Sequence, residues 1–264
     1  MTRITGKTRI LFILGDPVGH IIGSALLNEH FAGRGIDAAV SPLHVAPEDL
    51  PRALDTLRRS RNVAGFGVTI PHKIAVIGLL DSVGERGRQV GAVNFVRRNP
   101  DGTLHGDNVD GLGFVGGLLE AGVTIRGARV LQAGAGGAGR AIAFAMAGAG
   151  AAELTISNRS PDKARDLAEA VARAYPACRT QAGDGDSAAC DIAINTTSLG
   201  MKTGDALPLP AERLRSAAAA AEVVMTPEVT PFLAAAAARG CRTVAGKAML
   251  LAQLRAASDL VDLA

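Results

Sequence analysis

Ala128-Arg-Val-Leu-Gln-Ala133 runs straight into Gly134-Ala-Gly136-Gly137-Ala-Gly139-Arg140, and Ala141-Ile-Ala-Phe-Ala-Met-Ala147 follows at once. The first piece reads as a short apolar strand and the last as a helix, alanine being the strongest helix former. Between them each glycine has its own reason. Gly134 allows the tight turn, Gly136 lets the backbone approach a pyrophosphate, and Gly139 lets the helix pack close on the strand. The phosphates would meet N–H groups at the helix start, where Gly137 and Ala138 lie. A Gly-x-Gly-x-x-Gly spacing alone is weak in a chain with 32 glycines. The strand before it and the helix after it make it a dinucleotide-binding turn.

Outside this unit the totals set bounds. A chain of 264 residues holds one large or two small domains. A net charge of only +3, with the basic residues scattered, offers no surface for nucleic acid or membrane. Cys178, Cys190 and Cys241 show no CxxC spacing, and their number is odd. Free thiols in a reducing compartment are expected, not a disulfide frame or a zinc site. The apolar run Ile10-Leu-Phe-Ile-Leu14 is too short for a membrane span or a signal core. The expectation is therefore a soluble cytoplasmic protein. With no Trp and one Tyr, Tyr175, a site built on aromatic cages or base stacking is excluded. The tracts Ala217–Ala221 and Ala234–Ala238 read as helix.

Along the first half, strands are read at Arg9–Leu14, Ala38–Val45 and Ala64–Ile70, with helices from Gly23 or Ser24 to Phe31 and from Pro47 through Leu50, Leu54 and Leu57. Helices are also read at Ile74–Asp81 and Glu85–Val90, and a hairpin around Asn99-Pro-Asp-Gly102. The alternation predicts an α/β lobe with a largely parallel sheet. A helix from Asp110 to Ala121 leads to the glycine turn. Strands at Glu153–Ser157, Asp191–Asn195, Ala221–Met225 and Arg242–Val244 follow, with a helix at Pro231–Arg239. A terminal helix, Gly246–Leu263, is expected to dock back on the first lobe.

The end of the second nucleotide-lobe strand selects the cofactor. NAD sites usually carry an acid there, bonded to the ribose 2′-hydroxyl. This chain has Ser157-Asn158-Arg159-Ser160, with Lys163 one turn on. A 2′-phosphate would be repelled by an acid and gripped by arginine. NADP is the expected cofactor, with Arg159, Ser160 and Lys163 near its phosphate. Among the histidines, His44 reads as packed or capping, His72 as a candidate cleft-lining residue, and His20 as a neighbour of the substrate loop. No pair has metal-ligand spacing on a common face, so no metal is expected.

Eight segments together resemble the shikimate dehydrogenase family over almost the whole chain. They are Gly67-Val-Thr-Ile-Pro-His-Lys73, Gly91-Ala-Val-Asn94, Gly106-Asp-Asn-Val-Asp-Gly111, the glycine turn, Asn158-Arg159-Ser160, Asn195-Thr-Thr-Ser-Leu-Gly200, Thr230-Pro-Phe-Leu233 and Gly246-Lys-Ala-Met-Leu-Leu-Ala-Gln253. The resemblance implies an α/β fold of two lobes with a cleft between. One is an N-terminal substrate domain, 1–109 plus 246–264; the other is a Rossmann-type NADP-binding domain, 110–245. It implies Lys73 and Asp110 as the catalytic pair, Asn94 and Gln253 as contacts to substrate hydroxyls, Thr69 as another polar contact, and Thr196 and Gly246 on the cofactor side. Hydride addition to a ketone leaves an alkoxide that needs a proton, and an ammonium within reach can supply it.

The departures from the family bear on the substrate. The family's Ser-x-Ser-Pro segment, whose serines hold a carboxylate, is here His20-Ile21-Ile22-Gly23-Ser24. Both serine positions are lost, to Ile21 and Gly23, and Ser24 sits one place late. Gly67 stands for an Asn, Phe95 for a Thr, and Met225 for a Tyr that helps bind the carboxylate. A buried carboxylate without partners is costly, so shikimate itself is expected to be a poor substrate while the chemistry survives. The leading reading is an NADP-dependent dehydrogenase acting on shikimate or a related small hydroaromatic compound, as a monomer or homodimer. A quinate-type catabolic dehydrogenase is a second reading. A non-catalytic NADP-binding sensor is a third, and retention of Lys73 and Asp110 argues against it.

Overall fold

The computed structural model describes residues 4–19, 21–183, 190–214 and 219–261. The chain divides into two units, Met1–Val109 with Gln253–Ala264, and Asp110–Ala252.

In the first unit, β1 (Arg9–Gly15) lies between β2 (Ala38–His44) and β3 (Val63–Val68), parallel to both. Helices α1 (Gly23–Gly33) and α2 (Leu50–Arg59) make the crossovers. All six residues of β3 are buried, as both-face coverage of a central strand demands. Beyond β3 the sheet changes sense. The short strands β5 (Phe95–Arg98) and β6 (Leu104–Asp107) form the expected hairpin, with β5 antiparallel both to β6 and to β3. The two-residue β4 (Ser82–Val83) joins β6 in parallel and precedes α3 (Glu85–Val90). The sheet is thus mixed where a largely parallel one was expected, because a tight turn can only return antiparallel. The expected helix at Ile74–Asp81 is a 3-10 stretch, Ala75–Leu79. On the edge strand β2, the Asn28 side chain takes the place of a neighbouring strand. It donates to Val40 O at 2.9 Å and accepts from Val40 N at 2.8 Å, which blunts the edge.

In the second unit α4 (Asp110–Glu120) leads to β7 (Arg129–Ala133) and α5 (Gly137–Gly148). Then come β8 (Glu153–Ser157), α6 (Pro161–Ala174), β9 (Arg179–Ala182), β10 (Ile192–Asn195), β11 (Ala219–Glu222), α7 (Pro231–Ala237) and β12 (Arg242–Val244). The strand order is β12-β11-β10-β7-β8-β9, and every pairing is parallel. This doubly wound order reverses direction between β7 and β10, where such sheets bind ligands beyond their strand ends. The exposed edge strand β9 carries no apolar pattern and was not anticipated. One face buries Ile142, Met146, Leu154 and Ile156, and the other Leu131, Ala193, Ala220 and Phe232.

The Ala217–Ala221 tract corrects a helix reading. Ala219–Ala221 belong to β11, and 217–218 lie outside the described residues. The strand expected at Ala221–Met225 accordingly begins and ends earlier. Alanine's helix preference is worth only a few tenths of a kcal/mol over other residues. It loses to a buried slot between two parallel strands with both faces covered.

The last helix, α8 (Gly246–Leu260), takes part in both units. Met249 joins the core of the second unit, and a Cβ on Gly117 would lie 2.8 Å from the Ala248 carbonyl carbon. Leu254, Ala257 and the following Val261 join the core of the first with Leu11, Ile13 and Phe31. The break falls between Ala252 and Gln253, whereas the expected scheme placed all of 246–264 in the first lobe. No described helix is long and apolar enough to cross a membrane.

Candidate active site

At the ligand edge of the second unit, the glycine turn has the shape its residues imply. Gly134 has φ +106°, and a Cβ there would sit 2.4 Å from Thr196 Oγ1, so only glycine fits. A Cβ on Gly139 would lie 2.5 Å from Gly134 O, the close helix–strand packing anticipated. Gly136 and Gly137 instead face open space, with no heavy atom within 4 Å of a built Cβ. Gly136 caps α5 without a side-chain bond, which leaves the helix N-terminus presenting backbone N–H groups. A cavity of about 380 Å³ opens here, lined by Gly134, Gly136, Asn158, Arg159 and Thr196 among others. None of the described residues that line it is acidic. Open N–H groups and an exposed arginine suit a phosphorylated dinucleotide.

The sequence-read cofactor residues separate into two sets. Asn158 bridges the turn to the next helix, accepting from Ala135 N at 3.1 Å and donating to Ser160 O at 2.9 Å. The Thr196 hydroxyl donates to Ala133 O at 2.8 Å and holds the turn from the neighbouring strand. Gly137, Ala138, Ser160 and Lys163 stand outside the lining, the last two at the start of α6. Gly246 also stands outside that lining, and a Cβ on it would meet Val224 O at 2.4 Å. Ala133, Ser157, Thr197, Ser198, Leu199 and Pro208 complete the lining among the described residues. Sequence reading missed them as site residues, although Thr197–Leu199 lie within a quoted motif.

Behind that loop sits a buried acid that sequence reading also missed. Glu222, 1% exposed at the end of β11, accepts from Thr230 Oγ1 at 3.0 Å and Asn195 Nδ2 at 3.3 Å through Oε2. Its Oε1 has no partner. Asn195 in turn donates to Leu199 O and accepts from the backbone and hydroxyl of Thr197. Burial pushes the Glu222 carboxyl above the ordinary value of 4.5, against the pull of its two hydrogen bonds. The unfolded chain ionises this acid at lower pH than the folded one does. Its favourable contribution is therefore full below about 4.5 and is lost as pH rises through the folded value. Expected outcome: as pH rises above about 4.5, the melting temperature of the protein falls relative to that of Glu222→Gln. Parallel pH curves for the two proteins would remove this assignment.

In the first unit, the C-terminal ends of β1 and β3 carry the other set. Thr69 N donates to Leu14 O, and Val93 N donates to Lys73 O at 2.8 Å, which ties half-buried Lys73 beside Asn94. Asn94 is buried, and its Oδ1 accepts from Val109 N at 2.9 Å. The same turn is braced by Asp107, which accepts from Gly87 N at 2.6 Å and Asn108 N at 2.9 Å and pairs with Arg86 at 2.6 Å. These bonds hold the chain just ahead of Asp110, a buried acid in the first turn of α4, where negative charge is favoured. Asp107 and Arg86 were not singled out from sequence. Ser24 and Gln253 are buried on their helices.

Four of the substituted positions, Ile21, Gly23, Gly67 and Phe95, belong to one apolar group around Ile13. Gly67 and Phe95 are register partners on β3 and β5. A Cβ on Gly67 would lie 3.4 Å from the Phe95 ring and 3.5 Å from Ile13. Gly67 therefore sits directly against the Phe95 ring at ordinary contact distance, and half-buried Ile21 packs on the same cluster. Two histidine readings change. His72 is buried with Nε2 2.8 Å from Val45 O, a structural role and not a lining one. His44 is exposed, neither packed nor a cap, with Nε2 2.6 Å from Asp16 Oδ1. His20 lies outside the described residues.

Comparison with known proteins agrees with this geometry. Residues 13–96 match the shikimate dehydrogenase substrate binding domain, and residues 119–202 match shikimate / quinate 5-dehydrogenase. The chain belongs to the shikimate dehydrogenase family. A relative in that family, the shikimate dehydrogenase (NADP(+)) of Rhodospirillum rubrum, is 41% identical over 258 residues, 96% of this chain and 91% of that one. Shikimate 5-dehydrogenase of Listeria monocytogenes, solved with shikimate and NAD, superposes with a TM-score of 0.91 at 31% identity, covering 99% of this chain and 94% of that one. The 5-ketofructose reductase of Gluconobacter sp. strain CHM43 superposes at 0.89 with 33% identity, covering 97% and 93%. The family's two-domain α/β architecture, with a Rossmann-type second domain, is that of this chain.

Proposed function

We propose that this chain is an NADP-dependent dehydrogenase that interconverts a secondary alcohol and a ketone on shikimate or a related ring compound. The observation that carries the cofactor choice is the lining of the glycine-turn cavity, with Arg159 present and no acid at the end of β8. Similarity to relatives named shikimate dehydrogenase (NADP(+)) supports the same choice. We assign the cofactor to Gly134, Gly136, Gly137, Ala138, Asn158, Arg159, Ser160, Lys163 and Thr196, and the substrate to Ser24, Thr69, Asn94 and Gln253. Bound, the reduced nicotinamide supplies a hydride to the carbonyl carbon. The Lys73 ammonium gives its proton to the oxygen that becomes the hydroxyl, and as the neutral amine takes it back in the reverse direction. Asp110 orients that amine. The protein works in the cytoplasm as a monomer or homodimer, a location that buried Cys178, Cys190 and Cys241, none of them in a disulfide, favour.

Arg159→Ala is expected to raise the KM for NADP by about tenfold or more, the loss of a charge-assisted phosphate contact, while the KM for NAD changes little. Steady-state kinetics with both cofactors check it, and an equal effect on the two would exclude the 2′-phosphate assignment. A quinate-type enzyme using NAD is disfavoured by the same basic residue.

A second reading concerns the substrate. Ile21 and Gly23 stand where the family's carboxylate-holding serines would be, and the similar 5-ketofructose reductase is named for an uncharged keto-sugar. Reduction of a neutral polyhydroxy ketone fits that substitution. A panel of dehydroshikimate, dehydroquinate and keto-sugars, followed by NADPH absorbance, separates the two.

A further inference from the structure

Gln132 is a polar residue with 0% exposure in the central parallel strand of the second unit, flanked on β7 by Val130, Leu131 and Ala133. Such strands are ordinarily apolar throughout. Its amide does one specific thing. Nε2 donates to Gly134 O at 2.9 Å and to Gly139 O at 2.9 Å. Those carbonyls belong to the first and last glycines of the turn. One side chain therefore clasps both ends of the loop whose open middle includes Gly136, which lines the cavity. The other end of the amide, Oε1, is buried without a partner. An unmatched buried acceptor is destabilising. A leucine in this slot would avoid it, so packing does not explain a glutamine there.

We propose that Gln132 is a positioning residue for the dinucleotide. It holds the glycine turn in the shape that aims its N–H groups at the pyrophosphate. The inference rests on the NADP reading of this unit and adds to it the residue that shapes the turn. It separates two parts of the ligand. The pyrophosphate depends on the turn, whereas a 2′-phosphate at Arg159 does not touch it.

The test compares wild type with Gln132→Met, a near-isostere, and Gln132→Leu. Titration with NADPH is expected to show about tenfold weaker binding in both variants, from the loss of two hydrogen bonds. Adenosine 2′-monophosphate, which lacks a pyrophosphate, is expected to bind within about twofold of wild type, since no hydrogen bond to it is removed. Melting temperatures of the ligand-free variants should equal or exceed that of wild type, and backbone amides 135–140 should exchange faster with deuterium. Unchanged NADPH affinity overturns the proposal, as does an equal loss for both ligands, which would mark general damage. If wild type bound neither ligand, the cofactor reading would fail. Amide exchange in the ligand-free protein would still read the clasp, and unaltered exchange in the variants would overturn it.

Discussion

Lys73→Ala is expected to lower kcat by about 10²–10⁴-fold, the usual worth of a positioned general acid. NADPH affinity should stay within about twofold, because no phosphate contact is removed. Hydride delivery makes an oxyanion, and without a nearby proton the reverse transfer competes. The fold should tolerate the change. The anchor at this position is the backbone bond from Val93 N to Lys73 O, which any residue can make, and the side chain is only half-buried. Steady-state kinetics beside a fluorescence titration of NADPH make the measurement. Undiminished kcat would remove Lys73 from the mechanism. Weakened NADPH binding alone would make it a cofactor contact instead.

The second large effect concerns the carboxylate. Gly23→Ser, alone or with Ile21→Ser, is expected to raise kcat/KM for shikimate, by about 10²-fold or more for the pair. Each hydroxyl restores a hydrogen bond to a charged group, worth about 1.5–3 kcal/mol. The backbone allows it, since a Cβ on Gly23 meets only Ile13 Cδ1, at 3.7 Å. Ile21→Ser gives up part of an apolar contact with the Ile13–Phe95 cluster, about 1 kcal/mol, so the single Gly23 variant is the cleaner probe. Turnover of a neutral keto-sugar should not rise with either change. A wild-type enzyme already efficient on shikimate, and indifferent to Gly23→Ser, would show that other groups hold the carboxylate.

The residues that were legible in advance share a property. Gly134 and Gly139 act through their own backbone at a turn between two adjacent elements. Asn94 was legible as a motif residue, yet one of its uses, accepting from Val109 N, depends on a chain segment 15 residues away. Gln132, Glu222 and Asp107 were not legible. Each lies among apolar or loop residues, and its value comes from carbonyls, amides or hydroxyls brought to it by folding. Gly67 and Phe95 looked like two separate losses of polarity. Strand register makes them neighbours in one apolar patch.

The sequence by itself determined the strand, glycine turn and helix at 128–147, the α/β alternation, and the want of an acid after β8. Those features rest on local sterics and charge, which need no distant partner. Tertiary structure alone decided that Ala219–Ala221 form a strand, that His72 is internal while His44 is not, and that α8 shares itself between two cores. It also decided that Gln132 clasps the turn from beneath. In each of these cases the preference of the isolated segment is weak, and burial against non-local chain is the larger free energy.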